Sequence, residues 1–541
     1  MTTKDAGPSQ EGAGEYQRST EESQRGTAES QPGTARPGPW AQARLLPGDV
    51  RDLVGRHLIF SVALLAAIVP RVVAMLGYRP AVLFPMDTFD YLWGAVHVSP
   101  NVTNPSGYSL FLWLIRPFHS FALVATLQHL IGLGIGVMVY AVLRRYGLPA
   151  WGATLAAAPV LFDPSQILIE QMIMADLLAM ALMMASFTIL LLAERGSLWW
   201  LVTAGLLMGI STIVRPTTLP LILLIAVYLL IRRAGWRRAG ATLAAGIIPV
   251  VAYMGWFDSV HGSFNMTNSN GLFLWTRTMS FANCAVIQPP RDLQALCPQA
   301  QPGRLSQPVA SKRLQPKNYL WNRSSWQWKP RSHQFVPDTA AFTNANNSRA
   351  LRFALDAIKA QPFAYASVVL KESMQPFTTV THSLRFPGMT QRVVFPPPPG
   401  DMAYAAAAVS EYSNGTVPVA KTPYPRYAAQ VHQPWVSFMT AYQRVIFLPG
   451  PVFGLVTLIG LAGILIPRRR SAAAVLLWVS AGIILVLPTA EHEYTYRYVI
   501  PAVPLLCMAA ALALRKPARE TRSAGPPASA DRPVAGSQVN T

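Results

Sequence analysis

The stretch HLIFSVALLAAIVPRVVAMLG, residues 57–77, decides the class of fold to which this chain belongs. It has a single formally charged side chain, Arg71, and it is long enough to cross a bilayer, which takes about 20 residues of helix. Only 13% of the 541 residues are charged, whereas soluble domains usually have about 25%. The composition therefore favours lipid as the main solvent, and residues 57–77 are predicted to form the first of several membrane spans.

Apolar runs of this kind recur along the chain, and ten of them are predicted to span a membrane. They lie at 57–77, 120–143, 149–163, 172–193, 198–214, 217–231, 239–257, 444–466, 471–489 and 499–514. The apolar run at 107–118 has about half the required length and is interpreted as a juxtamembrane or re-entrant segment. The predicted fold is an all-α polytopic membrane protein with about ten transmembrane helices.

The distribution of Lys and Arg predicts the orientation of these spans. With both termini inside, thirteen basic residues of the short segments fall on the cytoplasmic side: Arg144, Arg145, Arg195, Arg232, Arg233, Arg237, Arg238, Arg468, Arg469, Arg470, Arg515, Lys516 and Arg519. Five fall on the outer side: Arg71, Arg79, Arg116, Arg215 and Arg497. Such an excess is typical of cytoplasmic loops. Counting 107–118 as a full span would invert every later loop and remove the bias.

This topology divides the chain into five parts. In chain order they are a cytoplasmic tail at 1–50, spans one to seven at 57–257 with the first outer loop at 78–119, an external domain at 258–443, the last three spans at 444–515 and a second cytoplasmic tail at 517–541. Both tails have few large apolar side chains, and we expect them to be disordered. The external domain is predicted to be small and irregular, either α+β or mostly coil.

The strongly basic balance of the chain, with a net charge of +20, could suggest a nucleic-acid partner. The basic residues cluster in short loops between apolar runs, however, which is a signature of membrane topology. No basic helix or aromatic RNA-binding motif accompanies them. We therefore expect the lipid bilayer, and no nucleic acid, as a partner.

Ionisable residues in the outer loops are the candidate functional residues, because a charge at membrane depth is costly and usually has a role. The stretch LFPMDTFDYLWG, 83–94, contains Asp87 and Asp90 beside Tyr91. The other candidates are Glu170 and Asp176 in the second outer loop, Arg215 after the fifth span, and His492, Arg497 and Tyr498 in the last outer loop.

Each candidate has a simpler interpretation. Asp87 is also a good N-cap for a surface helix, with Asp90 supporting its first turn. Glu170 and Asp176 are six residues apart and share a helix face poorly, so one of them is expected to be structural. Extension of the side chain toward lipid headgroups is the alternative role for Arg215 and Arg497.

The motifs of several enzyme and pump classes are missing from this sequence. It has no HExxH, no phosphate-binding P-loop, no GxSxG and no paired CxxC, which argues against zinc proteases, ATP-driven pumps and lipases. Outer-loop carboxylates could hold a divalent metal, since Mg²⁺ and Mn²⁺ favour oxygen ligands, but nothing in the spacing indicates a metal site. No cofactor is expected. Cys284 and Cys297 are thirteen residues apart in the external region. They are predicted to form a disulfide, and two free thiols are the alternative.

Five stretches resemble, in order and in placement on one membrane face, the lipid-carrier-dependent branch of the GT-C class of glycosyltransferases. This branch includes protein O-mannosyltransferases, aminoarabinose transferases and actinobacterial relatives. The stretches are PMDTFDY (85–91), NPSGYSLFLWLIRPF (104–118), IEQMIMADLLA (169–179), GISTIVRPTTLPL (209–221) and YRYVIPAVPLL (496–506). The external region matches poorly, apart from the Cys284 and Cys297 pattern, which is similar to that of actinobacterial members.

The resemblance implies a function on the outer face of the plasma membrane. It assigns Asp87 as the catalytic base, a sugar on a polyprenyl phosphate as the donor, and an envelope glycan, lipid or protein as the acceptor. One base and one attack on the anomeric carbon would invert that centre. Many relatives have two adjacent acids, whereas Thr88 follows Asp87 here, which leaves open whether Asp90 is the second acid. Arg215 and Arg497 are candidate phosphate ligands, because Arg can donate two hydrogen bonds to phosphate oxygens.

The remaining candidates are expected to bind the sugar or the acceptor: Tyr91, Glu170, Asp176, His492 and Tyr498. A multi-span transporter or flippase of lipid-linked or envelope substrates is the alternative function. Transporters often show paired halves with broken helices, and no internal repeat is visible here. A receptor without catalytic activity is the third hypothesis.

Overall fold

The computed structural model describes residues 57–84, 87–193, 196–298, 320, 341–378, 401–416, 430–467 and 470–515. The tails predicted at 1–50 and 517–541 lie outside these residues. Helices account for nearly all of the regular structure. In the first half of the chain they are α1 (Leu58–Gly77), α2 (Asp87–His97), α3 (Gly107–Ile115), α4 (Phe121–Arg145), α5 (Ala150–Phe162), α6 (Pro164–Gln171), α7 (Ala175–Ala193), α8 (Leu198–Val214), α9 (Leu219–Ile231) and α10 (Trp236–His261).

The second half continues in the same way. Its helices are α11 (Asn270–Thr278), α12 (Cys284–Ile287), α13 (Asn344–Ala360), α14 (Pro362–Ser373), α15 (Gln375–Thr378), α16 (Asp401–Tyr412), α17 (Trp435–Val445), α18 (Gly450–Leu465), α19 (Ala472–Glu491) and α20 (Ala502–Leu514). Short 3₁₀ helices lie at Arg116–Phe118, Pro216–Thr218, Gln294–Leu296 and Tyr496–Tyr498. Two short strands, β1 (Tyr78–Arg79) and β2 (Gln430–Val431), pair antiparallel.

The long apolar helices confirm an all-α polytopic membrane protein. Within the described residues, α1, α4, α7, α10 and α19 are long and apolar enough to cross a membrane. Two pairs, α5 with α6 and α17 with α18, qualify when each pair is taken as one bent span, which gives up to seven. Three further apolar segments, Leu198–Val214, Pro216–Ile231 and Ala502–Leu514, are shorter. All ten coincide in sequence with the predicted spans, but three are too short to qualify on length.

The bend between α5 and α6 is 50° and lies at Asp163–Pro164. Pro164 has no amide hydrogen to continue the α5 ladder, and its fixed φ suits the first position of a new helix. Asp163 caps α6 by accepting a hydrogen bond from the Ser165 amide at 2.8 Å. Its second oxygen accepts from the Leu448 amide at 2.9 Å, which ties the bend to the connection between α17 and α18. The chain then enters α7, whose first turn carries Asp176.

Helices α8 and α10 pack at very close range. A Cβ on Gly205 would lie 2.1 Å from the Thr242 carbonyl oxygen, and one on Gly209 would lie 2.2 Å from that of Gly246. Glycines four residues apart let two membrane helices approach backbone to backbone. This contact fixes the end of α8, and Arg215 is the residue that follows it.

The described part of 258–443 has its own small core. Leu272, Trp275, Leu296, Phe342 and Phe353 are buried together between α11 and α13. A disulfide joins Cys284 to Cys297, with a Cα–Cα distance of 6.1 Å. Helices α13, α14 and α15 follow one another between Asn344 and Thr378.

Candidate active site

Two Arg–Asp ion pairs lie side by side at one end of the bundle. Asp87, in the first turn of α2, accepts a hydrogen bond from Arg497 Nη1 at 2.5 Å. Asp176, in the first turn of α7, accepts from Arg215 Nη1. Both carboxylates therefore lie at a helix N-terminus, where the helix dipole favours negative charge.

The ring of Tyr498 links the two pairs into one group. The guanidinium carbon of Arg215 lies 5.0 Å from the ring centroid, and that of Arg497 lies 4.9 Å from it. Arg497 also donates through Nη2 to the Tyr498 hydroxyl at 3.0 Å. Cations at this range are attracted by the ring face. We call Asp87, Asp176, Arg215, Arg497 and Tyr498 the charged cluster.

The charged cluster is largely shielded from solvent and has no net formal charge, since two guanidinium groups face two carboxylates. Burial lowers the pKa of Arg497, and the neighbouring Tyr498 and Asp87 raise it by more than this. The resulting pKa lies well above the usual value for arginine. Burial, followed by the nearby Asp87, raises the pKa of Tyr91. Arg497 is therefore charged and Tyr91 is a neutral phenol at any physiological pH.

A cavity opens beside the charged cluster. Its polar wall is formed by Asp176, Arg215, Thr217, Thr218 and Tyr498, and its apolar wall by Ala179, Met180, Met183, Ile484, Pro488 and Pro501. Asp176 is 2% exposed, and its Oδ2 is buried without a hydrogen-bond partner. The cavity thus has charged and polar side chains on one side and a hydrocarbon surface on the other.

Asp90 lies on the same helix as Asp87 but its carboxylate is engaged elsewhere. Its Oδ2 accepts hydrogen bonds from Thr103 Oγ1 at 2.7 Å and from Asn104 Nδ2 at 3.3 Å. The loop that Asp90 contacts also meets the region after α10, where the backbone amide of Asn268 donates to the Val102 carbonyl at 2.9 Å. The observed contacts of Asp90 therefore organise the loop between α2 and α3.

Glu170 lies in a separate, fully buried network. Arg71 donates to both of its carboxylate oxygens at 2.8 Å, and His129 Nδ1 lies 2.9 Å from Oε2. Gln166 Nε2 donates to Oε1 at 2.9 Å. A Cβ on Gly132 would lie 1.9 Å from the same Oε1, so only glycine leaves room for this carboxylate. The network joins α1, α4 and α6, which is a structural role for Glu170.

The described side-chain contacts of His492 are with helix α11. Its Nδ1 lies 3.1 Å from Thr276 Oγ1 and its ring lies 5.0 Å from that of Phe273, both on α11. The structure thus brings together Asp87, Tyr91, Asp176, Arg215, Arg497 and Tyr498. The described hydrogen bonds of Asp90, Glu170 and His492 are with other residues.

The described residues contain no group of three or more His, Cys, Asp or Glu side chains that could hold a metal ion. The carboxylates of the charged cluster face guanidinium groups instead. Guanidinium groups are the natural partners of phosphate oxygens, so the cluster is suited to an anionic ligand.

No protein-family model matches the sequence, and no curated protein is similar to it. Two solved structures are similar to the fold: ArnT from Cupriavidus metallidurans in the apo state, with a TM-score of 0.31, and the same protein bound to undecaprenyl phosphate, with a TM-score of 0.32. In both, the sequence identity is 14% and the match covers 85% of this chain and 77% of that one.

Sequence reasoning missed two buried ion pairs. Arg71 appeared only as an outer-end charge, although a lone Arg inside an apolar span is itself a signal of a buried partner. Arg277 is fully buried and forms a bidentate ion pair with Glu372, with Nη–Oε distances of 2.8 and 3.0 Å. No spacing rule could have found it, because its two members are 95 residues apart.

Proposed function

We propose that this protein is a membrane glycosyltransferase that moves a sugar from a polyprenyl-phosphate donor to an acceptor hydroxyl. The observation that carries the proposal is the charged cluster, in which two carboxylates and two guanidinium groups meet at the wall of an amphipathic cavity. The resemblance of the surrounding stretches to lipid-carrier-dependent GT-C enzymes supports it.

The donor matches both walls of the cavity. Its phosphate is an anion that accepts paired hydrogen bonds from Arg, and Arg215 and Arg497 supply them. Its polyprenyl chain is hydrocarbon, and Met180, Met183 and Ile484 provide an apolar wall next to Arg215. Asp176 lines the same cavity, and its carboxylate is the proposed acceptor of a hydrogen bond from a sugar hydroxyl.

The reaction is a single displacement. The acceptor oxygen bonds to the anomeric carbon as the bond from that carbon to the phosphate oxygen breaks, which inverts the anomeric centre. Asp87 takes the proton of the acceptor hydroxyl, which requires a separation of about 3 Å. The lipid phosphate departs with an added negative charge, which Arg497 and Arg215 stabilise.

Binding of the donor prepares the base. In the resting cluster the Asp87 carboxylate is occupied by Arg497. An incoming phosphate competes for that guanidinium and is repelled by the carboxylate, so it draws Arg497 toward itself and releases Asp87. The base is then available when the acceptor arrives, and donor binding precedes acceptor binding.

The outer face of the plasma membrane is the proposed location of the charged cluster, with both termini in the cytoplasm. The excess of Lys and Arg in the opposite loops supports this orientation. The disulfide between Cys284 and Cys297 also supports it, because disulfides persist in oxidising compartments.

A donor panel tests the proposed function. Purified full-length protein in nanodiscs is incubated with radiolabelled sugars on undecaprenyl or decaprenyl phosphate and with an envelope fraction as acceptor. We expect labelled acceptor and release of the free lipid phosphate with at least one donor, and neither product with Asp87→Asn. Movement of intact donor across sealed vesicles without any transfer would support the flippase alternative and overturn the proposal.

A further inference from the structure

Arg497 and Tyr498 are placed by a short connection between two membrane helices. Helix α19 ends at Glu491 and α20 begins at Ala502. Between them, the 3₁₀ helix Tyr496–Tyr498 carries both residues of the charged cluster. We call residues 492–498 the cluster loop. Whatever fixes the cluster loop also fixes the position of Arg497 relative to Asp87.

A buried ion pair from outside the bundle holds the start of this loop. Arg277, on α11, donates through Nη1 to the backbone carbonyl of His492 at 3.0 Å while it pairs with Glu372 on α14. Glu372 Oε2 in turn accepts from the backbone amide of Tyr494 at 3.0 Å. The pair thus satisfies one carbonyl and one amide of the cluster loop, three to five residues before Arg497.

Helix α14 adds two further contacts at the end of α19. The Tyr365 hydroxyl donates to the Ala490 carbonyl at 3.0 Å, and the hydroxyls of Ser373 and Thr489 lie 2.8 Å apart. With the contact between Thr276 and His492, five hydrogen-bond contacts to residues 489–494 therefore come from α11 and α14, and two of these depend on the charge of the ion pair.

We propose that Arg277 and Glu372 are positioning residues, which hold the cluster loop so that Arg497 and Tyr498 face Asp87 and Asp176. Neither residue contacts the charged cluster directly. Arg277 is fully buried, so loss of its carboxylate partner leaves an uncompensated charge that must move or draw in water. Such a shift is transmitted to Arg497 through the short chain segment at 493–496. The consequence for ligand binding rests on the proposed function, whereas the holding of the loop does not.

The test compares Glu372→Gln with a matched control in the same region. Asp292→Asn removes the carboxylate charge from the pair of Asp292 with Arg352, whose N–O distance is 2.9 Å but whose side chains are 51% and 59% exposed. Full-length protein in nanodiscs is examined by hydrogen exchange, with attention to the amides of Tyr498 and Val499. These amides are bonded within the turn, to the carbonyls of Thr495 and Tyr496, and not to Glu372.

We expect Glu372→Gln to speed exchange at Tyr498 and Val499 and to weaken binding of undecaprenyl phosphate about tenfold. Asp292→Asn is expected to change neither. Arg277→Lys keeps the positive charge but loses the bidentate contact with Glu372, so it should change amide exchange and lipid binding in the same direction and by less. It also serves as the second variant if Glu372→Gln does not fold.

Two results overturn the proposal: unchanged exchange at Tyr498 and Val499 in both Glu372→Gln and Arg277→Lys, or an equal change in Asp292→Asn. A purely structural role of the pair would lower the thermal midpoint while leaving the exchange of these amides and the lipid affinity as in the wild type, and this result also contradicts the proposal. Failure of the wild type to bind undecaprenyl phosphate would count against the proposed function, while the exchange data would still decide the role of the pair.

Discussion

Arg497 donates a hydrogen bond to Asp87 across 410 residues of sequence, at 2.5 Å. The pair joins the first turn of α2 to the connection before the last helix. It also keeps the proposed base, Asp87, in direct contact with a proposed phosphate ligand, Arg497. Any anion that binds Arg497 must therefore compete with Asp87, and this competition gives the first prediction.

Asp87→Asn is expected to abolish sugar transfer and, at the same time, to tighten binding of undecaprenyl phosphate about tenfold, or about 1.4 kcal/mol. Asparagine cannot accept the proton of the acceptor, and it neither neutralises Arg497 nor repels the phosphate. Binding is measured on purified protein in nanodiscs, with transfer measured in the donor panel. Weaker lipid binding in this variant would contradict the exchange of partners at Arg497.

Asp90→Asn should leave transfer within about tenfold of the wild type, because the described contacts of Asp90 organise a loop and a residue in that role is not part of the chemical step. Asparagine keeps an oxygen to accept from Thr103, which makes the change mild at this site. The same transfer assay compares the two variants. Loss of activity as deep as that of Asp87→Asn, in protein of normal thermal stability, would make Asp90 the second catalytic acid.

Arg215→Lys should weaken binding of undecaprenyl phosphate about tenfold, since a lysine offers a point charge in place of two parallel donors. It also loses the planar group that lies over the Tyr498 ring. The matched control is Arg352→Lys, an exposed Arg paired with Asp292, which should bind the lipid normally. Equal affinities in the two variants would remove Arg215 from the phosphate site.

Gly132→Ala should lower the thermal midpoint of the protein by several degrees, because the new Cβ would overlap Glu170 Oε1 at 1.9 Å and push it away from Arg71. Breaking a buried ion pair typically costs about 3–5 kcal/mol. Gly134→Ala is the control on the same helix, since a Cβ there meets nothing within 4 Å. Similar midpoints for the two variants would show that the Glu170 network contributes little to stability.

The class of fold was accessible from the sequence because the signal for a membrane span is local. About 20 consecutive apolar residues suffice to identify one, whatever the rest of the chain does. The ten predicted runs all coincide with apolar helices or bent helix pairs in the described residues. Their lengths were less predictable, since the run at 149–163 continues past the bend at Asp163–Pro164 into α6 and three others form fewer than 18 residues of helix.

Scarcity of charge also pointed to most of the site. Asp87, Asp176, Arg215 and Arg497 stood out because ionisable residues beside apolar spans are few. The same signal selected Glu170 and Asp90, whose contacts lie elsewhere, because a sequence shows that a charge is present and not which partner satisfies it.

Pairing was decided by the tertiary structure alone. Asp87 pairs with Arg497, Asp176 with Arg215, and Glu170 with Arg71, at separations of 410, 39 and 99 residues. These separations follow from how the helices pack and where the chain returns to the same end of the bundle. The energy of an ion pair depends on distances of a few Å and on burial. Neither quantity is encoded in hydropathy or spacing, so the sequence determined which charges exist and the packing of the helices determined what each of them does.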